Sequence, residues 1–422
     1  MISDSEETIE ITFNVFEGEK VAVERINIKG NTITEEAVLR SELLIDEGDP
    51  FNQLKLDRSI SKLKARNLFA SVKKQVRPGS DKDLKIIDIT VEEKATGEIS
   101  AGAGVGTGGG SFAFDVKENN WLGRGIQIAS FLNVNKETIR GQLRVSDPNY
   151  KYSGNALNYY ISSTKNDKPD SGYSNSIISF AVGTGFEQYR GIMVSPELSI
   201  DFDDLSVDGS ASSHLKKQAG NFTDLSLNYG ISADKRDRAF MPTDGYYSSF
   251  SQSLPVYSDA PSLRNSYAYS GYRQFDENLV GAFKFYASSI HGLQDEDVRI
   301  SKRLNLPSRR LRGFEVGKVG PKDNKDYIGG NYATAVNLEA NLPNLLPEST
   351  KTEINLFLDA ANLWGVDYSS TIDDSNKIRA SIGSVVGWTS PIGPMSLIFS
   401  QNLSKASTDQ DETFRFRIGT SF

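Results

Sequence analysis

From about residue 96 almost to its end, this chain alternates apolar and polar residues with a period of two, and this pattern constrains the fold more than any other feature. In one segment, Ile178, Phe180 and Val182 are separated by Ser179 and Ala181. Successive side chains of a β-strand point to opposite faces, so the alternation predicts strands with one apolar and one polar face. The pattern recurs in two later segments, whose apolar residues are Ile192, Val194, Leu198, Ile200, Phe202, Leu225, Leu227, Tyr229 and Ile231.

The composition favours strands that cross a membrane. The chain has 422 residues, among them 36 Gly, 17 Tyr and 22 Phe, and its mean hydropathy of -0.40 is too low for helical membrane spans. A membrane helix needs roughly 18 to 20 apolar residues in a row, whereas a transmembrane strand needs only about 10 alternating ones. At roughly 20 residues per strand and connection, residues 95–422 predict an all-β transmembrane barrel of about 16 antiparallel strands.

A soluble all-β protein is the alternative, because its half-buried strands also alternate. Tyrosines near the expected strand ends favour the membrane interpretation, since aromatic residues form girdles at both surfaces of a membrane barrel. These tyrosines are Tyr159, Tyr160, Tyr246 and Tyr247.

Residues 21–94 have a different pattern, which predicts a small α+β domain in the order β-α-α-β-β. A strand around Ile26 is followed by two helical stretches and by strands near Ala70 to Val76 and Leu84 to Val91. Residues 1–20 hold one alternating stretch with no strand before it. We expect it to be the remnant of a preceding domain, and the natural chain to begin earlier, since no signal peptide is present.

The two helices of this domain carry recognisable start signals. We expect the first helix to begin at Thr34 as the N-cap, with Ile33 and Val38 forming a hydrophobic staple. The second helix should run from about Asn52 to Asn67. Its apolar face is predicted to consist of Leu56, Ile60 and Leu63.

The chain offers few groups for catalysis or metal binding. It has no Cys and only two His, His214 and His291, which excludes thiolate chemistry and disfavours a His-based metal site or relay. A net charge of -8 without a basic stripe disfavours nucleic-acid binding. We therefore expect no catalytic site, no metal and no cofactor, and a protein that is not an enzyme.

The glycine-rich segment from Gly104 to Gly109 matches the spacing of a dinucleotide-binding loop. A further strand follows it at Phe112 to Val116, where such a loop requires a helix, so this interpretation is rejected. As a barrel strand the segment has little side-chain packing, which predicts weak pairing. We expect this first barrel strand to be able to open, and its gate residues to be Gly102, Gly104, Val105 and Gly106.

The final segment, from Thr413 to Phe422, is predicted to be the last barrel strand. Its apolar face consists of Phe414, Phe416, Ile418 and Phe422, and its other face of Arg415, Arg417 and Gly419. Arginines on that face require a wet lumen. Phe416, Ile418, Gly419 and Phe422 are therefore expected to form the other side of the gate.

The most specific motif is Arg310-Leu311-Arg312-Gly313-Phe314, which lies in a long connection between strands. It resembles the Arg-Gly-Phe tip of the sixth extracellular loop in the BamA family of outer-membrane assembly proteins. Six further landmarks occur in the order typical of that family: Asn120-Trp121-Leu122-Gly123, Ser146-Asp147-Pro148, Met241-Pro242-Thr243-Asp244-Gly245, Gly329-Gly330-Asn331, Phe357-Leu358-Asp359 and Ser390-Pro391-Ile392-Gly393-Pro394. The resemblance covers nearly all of residues 21–422.

The resemblance implies that the loop folds back into the lumen, where Arg312 with Gly313 and Phe314 would be held by Glu339 and Asp359. The strand alternation is compatible with this arrangement, because both acids fall on polar registers. It also implies a protein that inserts β-barrel proteins into the outer membrane of a Gram-negative bacterium, through a lateral gate between its first and last strands. Its implied partners are unfolded barrel clients, accessory lipoproteins and membrane lipids.

Residues 21–94 similarly resemble the periplasmic polypeptide-transport-associated (POTRA) domain nearest the barrel. Such domains offer an exposed sheet edge to which an extended client can add a strand. The candidate edge residues are Ala70, Ser71, Val72 and Val76. A rigid spacer beneath the barrel is the alternative for this single domain.

Two other functions remain open at this level. A secretion translocator of the same superfamily would pass an extended polypeptide through its lumen, but such relatives usually carry two POTRA domains and a plug helix. A passive porin or receptor would not need residues 21–94. An enzyme barrel ranks last, since neither histidine has a catalytic context.

Overall fold

The computed structural model describes residues 20–189, 191–342, 345–347, 352–373, 376–390 and 393–419. The chain forms two compact units. One comprises the residues up to Thr96 together with Leu122–Gly125, and the other comprises Gly97–Trp121 and the chain from Ile126 onwards. No helix in the described ranges is long and apolar enough to cross a membrane. The predicted remnant at residues 1–20 lies, except for Lys20, outside the described residues.

The first unit contains a three-stranded sheet and two helices, in the predicted order. Their bounds are β1 (Ala22–Lys29), α1 (Glu36–Arg40), α2 (Gln53–Ala65), β2 (Phe69–Pro78) and β3 (Leu84–Glu93). The sheet order is β1-β3-β2, with β3 parallel to β1 and antiparallel to β2. Strand β2 is therefore an edge strand.

The core of this unit lies between the sheet and the helices. The apolar face of α2 is buried as the sequence predicts, at Leu56, Ile60 and Leu63, and it packs in one cluster with Ile87 and Ile89 of β3. Asn52 caps this helix by accepting a hydrogen bond from the backbone N–H of Lys55. Removal of these apolar side chains from water provides most of the stability of such a small domain.

The predicted start of α1 is wrong in detail. Its N-cap is Glu35, and Ile33 is 70% exposed, so no hydrophobic staple forms. The carboxylate of Glu93, at the end of β3, accepts hydrogen bonds from the backbone N–H groups of Thr32, Ile33 and Thr34. A distant acidic side chain thus holds the segment that precedes the helix.

The second unit is a closed barrel to which sixteen antiparallel strands contribute within the described ranges, as the sequence predicts. The strands are β4 (Gly97–Gly106), β5 (Gly109–Trp121), β6 (Ile126–Asn135), β7 (Thr138–Asp147), β8 (Ala156–Lys168), β9 (Tyr173–Tyr189), β10 (Ile192–Val207), β11 (Gly220–Asp234), β12 (Gly245–Ser258), β13 (Ser262–Asp276), β14 (Leu279–Gly292), β17 (Tyr332–Leu342), β18 (Thr352–Trp364), β19 (Arg379–Ser390), β20 (Gly393–Ser404) and β21 (Phe414–Gly419). A short helix α3 (Ser213–Lys216) precedes β11, and a small hairpin of β15 (Lys322–Asp323) and β16 (Asp326–Tyr327) lies in the connection between β14 and β17. Strand β21 pairs with β4 and closes the barrel.

The two faces of the barrel strands follow the alternation of the sequence. Outward-facing Phe180 and Leu358 are 43% and 39% exposed, whereas inward-facing Ser199 and Asp359 are buried. A surface that exposes large apolar side chains over many strands is suited to lipid.

The prediction that both tyrosines of each adjacent pair belong to an aromatic girdle is wrong for one member of each pair. Tyr159 is exposed on the outer face, but its neighbour Tyr160 lies on the inner face, where the guanidinium of Arg144 is 5.2 Å from its ring centre. The same alternation separates exposed Tyr246 from Tyr247. Adjacent residues of a strand cannot both face the lipid.

Candidate functional site: a luminal loop and a short barrel seam

The long connection between β14 and β17, residues 293–331, enters the barrel interior. Its tip is buried, with Leu311 and Phe314 only 3% and 1% exposed. Both pack in an apolar cluster with inward-facing residues of the barrel wall, including Ala333, Ala335 and Leu363. Burial of Phe314 places the preceding Arg312 and Gly313 against the interior surface of β17–β20.

Arg312 is bound by two carboxylates. Its backbone N–H and Nε donate to Asp359 Oδ2 at 3.0 and 2.8 Å, and its Nη2 donates to Asp359 Oδ1 at 2.6 Å. The same Nη2 lies 3.0 Å from Glu339 Oε1. Its guanidinium also lies 3.8 Å from the ring centre of Phe357. A bidentate, charge-assisted contact of this kind fixes both the position and the orientation of the loop tip.

The two carboxylates are themselves held by neighbouring strands. Asn337, which is the register partner of Asp359, donates to Asp359 Oδ1 at 2.7 Å and to the carbonyl oxygen of Arg310 at 3.0 Å. Lys284 of β14 forms an ion pair with Glu339. Two cations therefore face two carboxylates, so the buried group is close to neutral and avoids the cost of an unpaired charge.

Gly313 occupies a position that only glycine fits well. Its φ is +88°, and an added Cβ would lie 2.4 Å from Asn402 Oδ1. The backbone on either side is bound by the wall, because Ser381 Oγ donates to the carbonyl oxygen of Arg312 and Asn402 Nδ2 donates to that of Gly313 at 2.9 Å. We call Arg312, Gly313, Phe314, Glu339 and Asp359 the loop lock.

The loop tip also contacts the connection before the last strand, residues 405–413. The backbone N–H of Glu412 donates to Gly313 O at 2.9 Å, and that of Glu315 donates to Gln410 O at 3.0 Å. On β21, Arg415 Nη2 donates to Phe314 O at 3.1 Å, and Arg417 Nη2 donates to Ser308 Oγ at 2.9 Å. The arginines predicted to face the lumen therefore hold the loop.

A second buried ion pair was not found from the sequence. Arg379, at the start of β19, donates through Nε and Nη2 to the carboxylate of Asp409 at 2.9 and 3.1 Å, and both side chains are fully buried. Arg379 also donates to Asn362 Oδ1, and Asp409 accepts from the backbone N–H of Gly320. This pair anchors the 405–413 connection to the wall. The sequence signal that could have revealed it is the alternation of β19, which places Arg379 on the same inward face as Ser381.

A third charged group lies at the base of the loop. Arg299 and Lys302 form ion pairs with Asp224, whose side chain is 1% exposed, and Arg299 is 3.9 Å from Asp203. Arg303 pairs with Asp367. These partners could not be predicted from the sequence, because their separations along the chain are long and irregular.

The described part of the seam between β4 and β21 is short. In the described residues these strands pair at Arg417–Gly106, Ile418–Val105 and Gly419–Gly104, with a hydrogen bond from Thr107 N–H to Phe416 O at 3.2 Å. By contrast, β4 and β5 pair over the full ten residues of β4. Among the described residues the predicted gate residue Gly102 pairs only with β5, and Phe422 lies outside them.

Two glycines allow the backbones of β4 and β21 to approach each other closely. Gly419 has a φ of +122°, and an added Cβ would lie 2.1 Å from the carbonyl oxygen of Ala103. A Cβ on Gly106 would lie 2.5 Å from Phe416 O. These glycines are thus required by the geometry of the closed seam, in addition to the thin packing that the sequence indicates.

The candidate client edge lies on β2. Among the described residues this strand pairs only with β3, so its other side presents free backbone groups. Ala70 is exposed, Ser71 and Val76 are half-buried, and Val72 belongs to the core of the domain.

Comparisons with known proteins agree on the family. Residues 120–422 match the model of the Omp85 superfamily domain, and residues 21–94 match the POTRA model, described as a surface antigen variable number repeat. The outer membrane protein assembly factor BamA of Neorickettsia risticii is 26% identical over 99% of this chain and 58% of its own length. That of Neisseria meningitidis is 24% identical over 98% of this chain, again 58% of its own length. The chain spans less than two thirds of these relatives.

Solved structures show the same fold. BamA from Haemophilus ducreyi lacking POTRA domains 1–3 has a TM-score of 0.83 at 23% identity, covering 96% of this chain and 85% of that chain. CdiB from Escherichia coli has a TM-score of 0.63 at 12% identity, covering 96% and 77% of the two chains. The match over residues 120–422 shows that the chain belongs to the Omp85 superfamily, and the chain is similar to BamA relatives along almost its whole length.

Proposed function

We propose that this chain folds and inserts β-barrel proteins into the outer membrane through a lateral gate between β4 and β21. The barrel lies in the outer membrane of a Gram-negative bacterium and the POTRA domain in the periplasm. Its clients are unfolded outer-membrane barrels, and accessory lipoproteins and membrane lipids are its further partners. No nucleotide or redox cofactor takes part.

The observation that carries this proposal is the seam between β4 and β21 as the described residues form it. Three residue pairs join β4 to β21 in the described residues, and the strands approach closely through Gly106 and Gly419. In lipid each unsatisfied backbone group costs several kcal/mol, so an opened β4 is a strong template for another strand. A client strand that pairs with β4 replaces the hydrogen bonds that β4 loses when β21 moves away.

The loop lock supports the proposal from inside the barrel. The loop tip is bound to β17 and β18 through Arg312, and to β21 through the hydrogen bond from Arg415 to Phe314 O. It therefore connects a fully paired part of the wall to the strand that must move. We propose that the lock sets the position of β21 while the gate is closed.

A disulfide across the seam tests the gate. The chain has no native Cys, and Val105 and Ile418 are register partners. Cys at Gly419 would be strained by its positive φ, which makes Ile418 the better position. Val105→Cys with Ile418→Cys is introduced into the protein in cells, which are oxidised before the assembly of other outer-membrane barrels is measured. We expect assembly to stop in oxidised cells and to recover with a reductant.

The control places the disulfide across a neighbouring, fully paired seam, with Ala101→Cys and Phe114→Cys on β4 and β5. This crosslink should form without affecting assembly. If the β4–β21 crosslink forms in full and assembly continues at its normal rate, the lateral gate is not used. A route through the lumen would then replace it.

A further inference from the structure

The charges of the POTRA domain are separated along its sequence and on its surface. Residues 21–94 contain 14 Lys and Arg and 13 Asp and Glu, so the domain is nearly neutral. Residues 52–77, which comprise α2 and most of β2, hold eight of these cations and one acid, Asp57. The net charge of -8 of the whole chain conceals this basic segment.

Within the part of the chain that the structure describes, most of these cations have no acidic partner. Lys74 pairs with Asp57, Arg77 pairs with Asp88 at 2.6 Å, and Arg66 lies 3.6 Å from Glu42. The other five are exposed, and no carboxylate of the described residues lies within ion-pair distance of them. These five, Lys55, Arg58, Lys62, Lys64 and Lys73, are called the basic face.

The basic face borders the free edge of β2. The ion pair between Lys74 and Asp57 places that side of α2 beside β2, and Lys64 lies two turns further along the same side of the helix. Lys73 is adjacent to buried Val72 in the strand, so it projects from the opposite face of the sheet. Cations therefore lie on both sides of the line along which an added strand would run.

We propose that the edge of β2 binds an extended, acidic polypeptide segment by strand addition. Backbone pairing with β2 supplies the binding geometry, and carboxylates of the added strand meet Lys73 on one face or Lys64 and its helical neighbours on the other. The complementary charges raise the rate of encounter and favour acidic strands over neutral ones. The inference rests on the proposed function, because it identifies which client or partner segments the domain receives.

Peptide binding to the full chain in phosphatidylcholine nanodiscs tests the proposal. The probes are two fluorescent ten-residue peptides, one alternating Thr and Glu and the other Thr and Gln. We expect the Glu peptide to bind about tenfold more tightly at low salt, and the difference to shrink to about threefold or less at 0.5 M salt, where exposed charges are screened. Equal affinity of the two peptides at low salt would overturn the proposal.

Matched variants locate the site. Lys64→Gln with Lys73→Gln should weaken binding of the Glu peptide about fivefold and leave the Gln peptide unchanged. Arg25→Gln with Lys29→Gln removes the same charge from exposed positions of β1, at the other edge, and should have no effect. Equal losses in both double variants would show attraction to the domain as a whole, which contradicts the assignment to β2.

Two further measurements separate strand addition from other binding. A Glu peptide N-methylated at every amide has no N–H donor on either edge, so it should lose binding; unchanged affinity would overturn strand addition. Nanodiscs with phosphatidylglycerol should leave peptide affinity unchanged. Loss of binding in these discs would assign the basic face to lipid head groups. None of these measurements requires insertion, so failure here is distinguishable from failure of the lateral gate.

Discussion

At the scale of single residues, the barrel interior is organised by guanidinium groups that each hold a carboxylate. Arg312 binds Asp359 and Glu339, and Arg379 binds Asp409. Removing one member of a buried ion pair leaves the other charged and without a partner, which commonly costs about 3 to 5 kcal/mol. The loop tip and the 405–413 connection are thus each fixed by one guanidinium group.

Arg312→Gln should release the loop tip. We expect the variant barrel to unfold at a lower temperature, because Asp359 stays buried without its bidentate partner, and to assemble clients poorly. The unfolding temperature can be read from the gel mobility of the folded barrel. Arg309→Gln, which removes an exposed charge from the same loop, is the control. Equal unfolding temperatures for the two variants would contradict the lock.

Glu93 should make the POTRA domain sensitive to acid. Burial would raise the pKa of its carboxyl, but hydrogen bonds from Thr32, Ile33 and Thr34 outweigh burial and lower this pKa to about 2. Because the pKa is lower in the folded state, the stabilisation is complete above about pH 4.5 and is lost as the pH falls towards 2.

Glu93→Gln should therefore lower the free energy of unfolding of this domain at pH 7 by about 1 kcal/mol, after allowance for screening by solvent. Hydrogen exchange of the amides of residues 32–34 measures the effect. Exchange should be faster in the variant at pH 7, with the difference disappearing near pH 2. Glu92→Gln, at the exposed neighbouring position, should change little. A difference that persists unchanged at pH 2 would exclude the carboxylate as its cause.

At the scale of elements, β21 is held from inside the barrel as well as from its sides. In the described residues it pairs with β20 at five positions and with β4 at three, while Arg415, Arg417 and the 405–413 connection bind the loop. The buried pair of Arg379 and Asp409 fixes that connection to β19. Loosening the pair should therefore increase the mobility of β21 without touching the seam itself.

Asp409→Asn tests this dependence. We expect faster hydrogen exchange in β21 and in the seam residues of β4, with exchange in β10 and β11 unchanged, since these strands lie on the far side of the barrel order. Asp295→Asn is a suitable control, because it makes the same chemical change at an exposed residue of another connection. If the Asp409 variant exchanges like the control, the pair does not position the last strand.

At the scale of the whole molecule, the elements that follow from a periodic sequence pattern could be predicted. Ion pairs and hydrogen bonds between residues far apart in the chain could not. Strand number and the order of the POTRA elements followed from periods of 2 and 3.6, which report the face that each residue presents. The contacts of Arg312 followed from family resemblance and register parity. Arg379 and Asp409, by contrast, are 30 residues apart in unremarkable sequence, and Glu93 acts on residues about 60 positions earlier.

Capture of a client strand in transit tests the lateral gate most directly. A photo-crosslinking amino acid is placed in the protein at each position from Ile99 to Val105 on β4 and, as a comparison, at inward-facing Ser266 and Ser270 on β13. Lateral insertion predicts crosslinks between β4 and the terminal strand of a client during its assembly, and none from the two comparison positions. Crosslinks from these luminal positions with none from β4 would contradict the lateral gate.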